Sequence, residues 1–322
     1  MSLPLCRSPF RAVLPLVAVA AACTSQRPDR AADHRQSPDS SAEASRIRVG
    51  VDFRAPESVR YDPDQDVYFI SNINGGMSSR DGNGFIMRVS AANPADATIF
   101  AQSGRGGVTL DAPKGLALAG DTLWVTDIDV VRGFDRHTGA PLATVDLRPL
   151  HARFLNDIVA APDGTLYLTD TGIEVGPDGI LPVGGDRVFH IGAGHAITVV
   201  AEGDSLRWPN GIAWDAAHRR LIVVPFHDLV SYVLALDGGY VRRVPLAATR
   251  GQFDGVEVLP GGRMLVTSWG DSAVYLVTDS TSRRIIGGLV SPADIGLDTR
   301  RNVLAIPLPN RDRVEYWKLS LR

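Results

Sequence analysis

Cysteine is nearly missing from this 322-residue chain: there are two, Cys6 and Cys23, and both fall in its first segment. Nothing after residue 23 can therefore form a disulfide or use a thiolate. Positive charge is not in excess either. Lys and Arg number 33 against 36 Asp and Glu, for a net charge of −3, which excludes the basic footprint of a nucleic-acid binder. No Gly-x-Ser-x-Gly elbow occurs, so a serine nucleophile of the α/β-hydrolase kind is absent. Amphipathic helical patterns of useful length are missing as well. What remains is a chain of short apolar runs separated by Gly, Asp and Pro.

The first segment has its own logic. Arg7 and Arg11 precede an apolar stretch over Ala12 to Ala22, too short for a permanent span of a bilayer. It reads as an export signal. The run Ala20-Ala21-Ala22-Cys23 resembles a bacterial lipoprotein cleavage box, with Ala20 where leucine is usual. The expectation is a removed signal over residues 1–22, with Cys23 lipidated in the cell envelope. The alternative is ordinary cleavage after an A-x-A site, into the periplasm. Residues 23–45 are rich in Ser, Asp, Arg, Ala and Pro without apolar periodicity, the composition of a flexible tether.

Beyond the tether one phrase recurs six times. Its copies are Pro56-Glu57-Ser58-Val59, Pro113-Lys114-Gly115-Leu116 and Leu155-Asn156-Asp157-Ile158, then Pro209-Asn210-Gly211-Ile212, Phe253-Asp254-Gly255-Val256 and Pro292-Ala293-Asp294-Ile295. Each copy is followed by a turn and an apolar run, such as Leu123-Trp124-Val125-Thr126-Asp127 or Leu221-Ile222-Val223-Val224-Pro225. Self-similarity at a period of roughly 40–55 residues means a propeller or a solenoid. Six units with four strands' worth of sequence each select an all-β, six-bladed β-propeller over residues 46–322. Residues 314–319 are expected to close the ring against a strand near residues 47–51, which removes the exposed edges. Two connections exceed what a propeller needs, residues 73–84 and 172–186, and both are candidate lids or pocket walls.

In a propeller the first strand of each blade lines the central channel. The recurring position would then form a ring at one mouth: Glu57, Lys114, Asn156, Asn210, Asp254 and Ala293. Two carboxylates cannot crowd one axis unless one takes a proton or a cation sits between them. Carboxylate and amide oxygens, without Cys or His, are hard donors. They favour Ca²⁺, with Mg²⁺, Mn²⁺ and Zn²⁺ left open. Lys114 could neutralise the carboxylates, grip an anionic substrate, or snorkel out to solvent. The second strands return to the same mouth and end in Asn72, Asp127, Asp170, His227, Trp269 with Asp271, and Asn310. These would be pocket walls or supports, or turn residues satisfied locally.

With Pro209-Asn210-Gly211-Ile212-Ala213-Trp214, Phe253-Asp254-Gly255-Val256, Arg153-Phe154-Leu155-Asn156-Asp157 and Glu57 opening the first blade, the chain resembles the senescence marker protein/gluconolactonase, or regucalcin-like, family over essentially all of its folded part. The resemblance implies a six-bladed propeller holding one divalent cation, with members that hydrolyse sugar lactones or related esters. It implies Glu57, Asn210 and Asp254 as metal ligands. Asn156 would complete the metal shell or touch substrate, and Arg153 would hold a substrate oxygen. The sequence departs from the family pattern at Leu155, inserted where Arg-Phe-Asn-Asp is usual, and at Lys114. Pro56-Glu57-Ser58-Val59 is closer to the strictosidine synthase and paraoxonase side of the superfamily. The paraoxonase histidine pair has no counterpart, since no His lies between His34 and His137.

The leading expectation is a metal-dependent hydrolase of a lactone or related ester, with Asp254 as the general base and Arg153, Asn156 and Lys114 toward substrate. Its rival is a non-catalytic envelope propeller in which the metal is structural. A quinone-dependent sugar dehydrogenase would want a catalytic His and a basic cluster that the channel positions lack. A monomer is expected, touching a membrane only through its lipid.

Overall fold

The computed structural model describes residues 43–50, 52–176, 179–227, 232–238, 240–246, 250–278 and 280–321. The export signal and most of the tether lie outside the described residues. Among the described residues there is no α-helix, only strands and short 3₁₀ turns, and no helix is long and apolar enough to cross a membrane. Six four-stranded antiparallel sheets succeed one another along the chain, and the innermost strand of each packs on that of the next. The fold is a six-bladed β-propeller.

Each second strand explains its own sequence. Val67–Asn72, Arg220–Pro225 and Val303–Leu308 are buried along their whole length. A strand covered on both faces by neighbouring blades wants a continuous apolar run rather than alternation. The core accordingly sits between blades, as where Phe69 and Ile86 of the first meet Leu116, Leu123 and Phe134 of the second. Outermost strands face solvent and carry charge, Arg242 and Arg243 in Tyr240–Pro245 and Arg283 and Arg284 in Ser282–Gly287. Charged side chains blunt such edges against pairing with other chains.

The last blade is completed by the first strand. Ala44–Gly50 pairs antiparallel with Arg313–Leu319, from Ala44 opposite Leu319 to Gly50 opposite Val314. It begins ahead of the boundary at residue 46. A second clasp joins the first and last blades at their turns. Arg301 donates to Asp66 Oδ1 at 2.7 Å and Oδ2 at 2.6 Å, and Tyr61 donates to the same carboxylate.

That fork holds the Asp66 carboxyl down at about 2, chiefly through the Arg301 hydrogen bonds. A folded-state value below the unfolded ~3.9 gives stability that is full above the unfolded value and lost as pH falls through the folded one. The pair is partly exposed, so it contributes about 1 kcal/mol. Urea unfolding of wild type and Asp66→Asn should differ by about that amount at pH 6 and converge toward pH 2. A gap constant with pH would contradict the assignment.

Candidate functional site

The ring forms because the innermost strands share a defect. Between Pro56↔Asn72 and Val59↔Ile70 the first strand advances three residues while its partner advances two. The same extra residue occurs at Lys114-Gly115, Asn156-Asp157, Asn210-Gly211 and Asp254-Gly255. A β-bulge re-aims a side chain that regular pairing would send elsewhere. Here each re-aims the recurring residue of its blade. In the sixth blade the backbone of Asp294 bonds with that of Glu57 and Val59, and Ala293 takes the ring position.

Hydroxyls on the second strands pin this arrangement across blade boundaries. Thr126 Oγ1 donates to the carbonyl of Asn156, Thr169 Oγ1 to that of Asn210, and Thr267 Oγ1 to that of Ala293. Asn156 and Asn210 are thus fixed by their own bulges and by the preceding blade, and Ala293 by the preceding blade. The penultimate Thr of the apolar runs was visible in the sequence, but only as part of a strand.

Glu57, Lys114, Asn156, Asn210, Asp254 and Ala293 are all buried and line one cavity of 230 Å³. Three of its oxygens, Glu57 Oε2, Asn210 Oδ1 and Asp254 Oδ1, are buried without a hydrogen-bond partner among the described residues. Asn156 donates through Nδ2 to Thr171 Oγ1 at 3.0 Å, and Thr171 donates to the carbonyl of Pro209 at 2.8 Å, which leaves the Asn156 Oδ1 end to the cavity. Among the described residues no group of three or more His, Cys, Asp or Glu is arranged to hold a metal. The ring instead gathers two carboxylates and two carboxamides.

Burial pushes Glu57 well above the usual carboxylate range, helped by Asp254 and Asp294 and opposed by Lys114. Asp254 is raised by burial, then by Asp294 and Asp157. Trp269 Nε1 faces Asp254 from outside hydrogen-bond geometry and is itself without a partner. Lys114 does not snorkel. It is 1 % exposed, donates to the carbonyl of Ala112 at 3.2 Å, and stands 4.2 Å from the centre of the Phe154 ring. Burial lowers it to about 8 against the opposing pull of Glu57, Asp127 and Asp170.

A further layer of charge lies one residue beyond the ring, where other blades carry Ser or Gly. Asp157 accepts from the amides of Ile158 and Ile212, both at 2.7 Å, and Asp294 accepts from Ser58 Oγ at 2.5 Å. Arg60 reaches Glu257 at 3.1 Å and Asp294 at 4.0 Å. The repeat alignment displays both aspartates, yet their burial against Asp254 is a contact between blades.

The ends of the second strands divide. Asp127 accepts from the amides of Asp111 and Ala112, Asp170 from that of Phe154, Asn72 from that of Arg54 and Asp271 from that of Arg250. They anchor the loops that enter the innermost strands and do not line the cavity. Asn310 donates to Ser291 Oγ, and His227 packs on Trp208. Trp269 is a wall.

The two long connections close over the ring. Residues 172–186 contain the hairpin Ile173–Gly176 with Gly179–Pro182, and the Val175 amide donates to Ser78 Oγ of the other connection at 3.1 Å. Met77 and Ile73 from one connection, and Ile173, Val175 and Ile180 from the other, supply much of the wall. Arg153 lies beyond them. It lines a neighbouring pocket of 660 Å³, half exposed, with its guanidinium 3.8 Å from Glu174. Leu155 occupies the strand start and Phe154 turns toward Lys114, so Arg153 stands one step back from the ring.

Comparison with known proteins is consistent with this geometry. The family described as SMP-30/gluconolactonase/LRE-like region matches residues 52–294, well over half of the chain. No curated protein matches. Among solved structures, a candidate gluconolactonase shares 18% identity, covers 88% of this chain and 94% of its own, and superposes with a TM-score of 0.63. A gluconolactonase from Xanthomonas campestris shares 17% over 84% of this chain and 88% of its own, at 0.62. A streptogramin B lyase shares 12% over 86% and 97%, at 0.56. At such identities the likeness is one of fold, and the third shows that this fold also carries other chemistry.

Proposed function

The chain belongs to the SMP-30/gluconolactonase/LRE-like family, and on that premise we propose that it hydrolyses a lactone or related ester with a divalent cation held by Glu57, Asn210 and Asp254. The observation that carries this reading is the trio of buried, unpartnered oxygens on one cavity. Orphaned acceptors are costly unless a hydrogen-bond donor or a cation meets them. All three are hard donors of the carboxylate and amide kind, which suits Ca²⁺ first and Mg²⁺ or Mn²⁺ next. Asn156 either completes the shell or meets the substrate through Oδ1.

When bound, the cation supplies Lewis-acid polarisation of the substrate carbonyl. The chain's own residues do the rest. Asp254 accepts the proton of the attacking water through the oxygen that does not hold the cation. The ammonium of Lys114 is mostly charged at neutral pH and offers its hydrogens to the oxygen that becomes anionic. The apolar wall of Ile73, Met77, Ile173, Val175 and Ile180 keeps other water out. The leader supports an exported, lipid-anchored or periplasmic location, with the propeller working as a monomer.

A chelator-stripped preparation should release acid from lactones in a pH-stat no faster than the spontaneous rate and regain turnover on adding one of Ca²⁺, Mg²⁺, Mn²⁺ or Zn²⁺. Full turnover in chelator would remove the cation from the reaction. Cation binding without hydrolysis of any lactone or ester would favour an envelope binding propeller.

A further inference from the structure

Building on the lactonase reading, we infer that the substrate is an apolar, alkyl-substituted lactone or ester rather than a polyhydroxylated sugar lactone. Among the described residues, the charged and carboxamide groups of the cavity are those of the ring. Above them the walls are hydrocarbon and aromatic: Met77, Phe154, Ile173, Ile180, Phe226 and Trp269. The wall hydroxyl of Thr171 is already engaged with Asn156 and the carbonyl of Pro209, and Trp269 Nε1 faces Asp254.

A sugar lactone carries a hydroxyl on nearly every ring carbon, and each needs a partner once water is excluded. Among the described residues, the groups able to serve them are those of the ring itself and Trp269 Nε1, which faces Asp254. Charged side chains do lie nearby, but behind the hairpin. Ile173 lines only the inner cavity and Glu174 and Leu181 only the neighbouring pocket, while Val175 and Ile180 stand between the two and line both. There Arg80 pairs with Asp129 and Arg153 faces Glu174, so these groups are engaged with one another. The inner cavity, at 230 Å³, lies below the ~300 Å³ where pockets for drug-sized ligands begin. A single ring carrying a short chain fits that size and that lining.

The test compares kcat/KM of the cation-loaded protein on an alkyl γ- or δ-lactone and on glucono-δ-lactone, beside Met77→Gln and Ile180→Asn. Each buried hydroxyl without a partner costs about tenfold or more, so the alkyl lactone should lead by roughly a hundredfold or more. Polar atoms at Met77 or Ile180 should narrow that lead to about tenfold. Equal or better turnover of glucono-δ-lactone would overturn the inference and leave the lactonase reading standing. If neither lactone is hydrolysed, binding of 2-butylcyclopentanone, which has the carbonyl but no ester, decides separately. Quenching of fluorescence that disappears in Trp269→Phe would keep an apolar ligand in this cavity without lactonase activity, and no quenching would end the inference.

Discussion

Asp254→Asn should lower kcat/KM for lactone hydrolysis by about 10²–10⁴-fold while leaving the metal-free protein as stable as wild type or more so. The first half follows from what the amide lacks, since it cannot accept the proton of the attacking water. It keeps an oxygen where Oδ1 was, so a cation can still be held and the loss belongs to the proton transfer. The second half follows from burial. The Asp254 carboxyl is 4 % exposed, has one oxygen without a partner, and feels Asp294 and Asp157. Replacing an uncompensated buried acid by a neutral group of the same shape relieves the folded state. Kinetics and thermal midpoints of the two proteins check both halves. Retained turnover with cation bound would remove Asp254 as the base, and a large drop in midpoint would make its role structural.

Gly211→Ala should destabilise the propeller by about 3 kcal/mol, the upper range for overpacking. A Cβ there would lie 2.2 Å from the carbonyl oxygen of Asp254 and 3.0 Å from Val224 Cγ2. Neither neighbour can yield cheaply. The Asp254 carbonyl belongs to the bulge of the next blade, and the Asn210 carbonyl beside Gly211 is held by Thr169. Gly164→Ala is the matched control. Its φ is +83° with open space around the new methyl, so it should cost only the ~1–2 kcal/mol of a left-handed backbone. Urea unfolding of both variants compares the two effects. A Gly211→Ala penalty no larger than that of Gly164→Ala would contradict so close an approach of the blades.

Much of this was legible because a propeller repeats its geometry with its sequence. The six copies of one phrase place Glu57, Lys114, Asn156, Asn210, Asp254 and Ala293 at equivalent positions, and the ring brings equivalent positions together. The closing pairing of the last strand with the first follows from the same symmetry. What the periodicity could not display were contacts between units. The bulges depend on register between two strands, and the hydroxyl pins from Thr126, Thr169 and Thr267 cross from blade to blade. Lys114 looked able to reach water, but Phe154 of the next blade covers it. Arg153 carried a family motif, yet Leu155 shifts it into the outer pocket with Glu174. Asp127 and Asp170 reach back to the mouth as expected and there anchor loop amides.

Asn210 offers the most direct measurement, because it is neutral and its Oδ1 is buried without a partner. Removing it alters no charge in the ring. Thermal unfolding of metal-stripped wild type and Asn210→Ala would be followed against Ca²⁺, Mg²⁺, Mn²⁺ and Zn²⁺. A cation that binds only the folded ring should stabilise wild type by about 2.7 kcal/mol at a hundredfold excess over its dissociation constant. The same excess should do little for Asn210→Ala. No shift with any cation, or an equal shift in both proteins, would contradict a cation held by Glu57, Asn210 and Asp254.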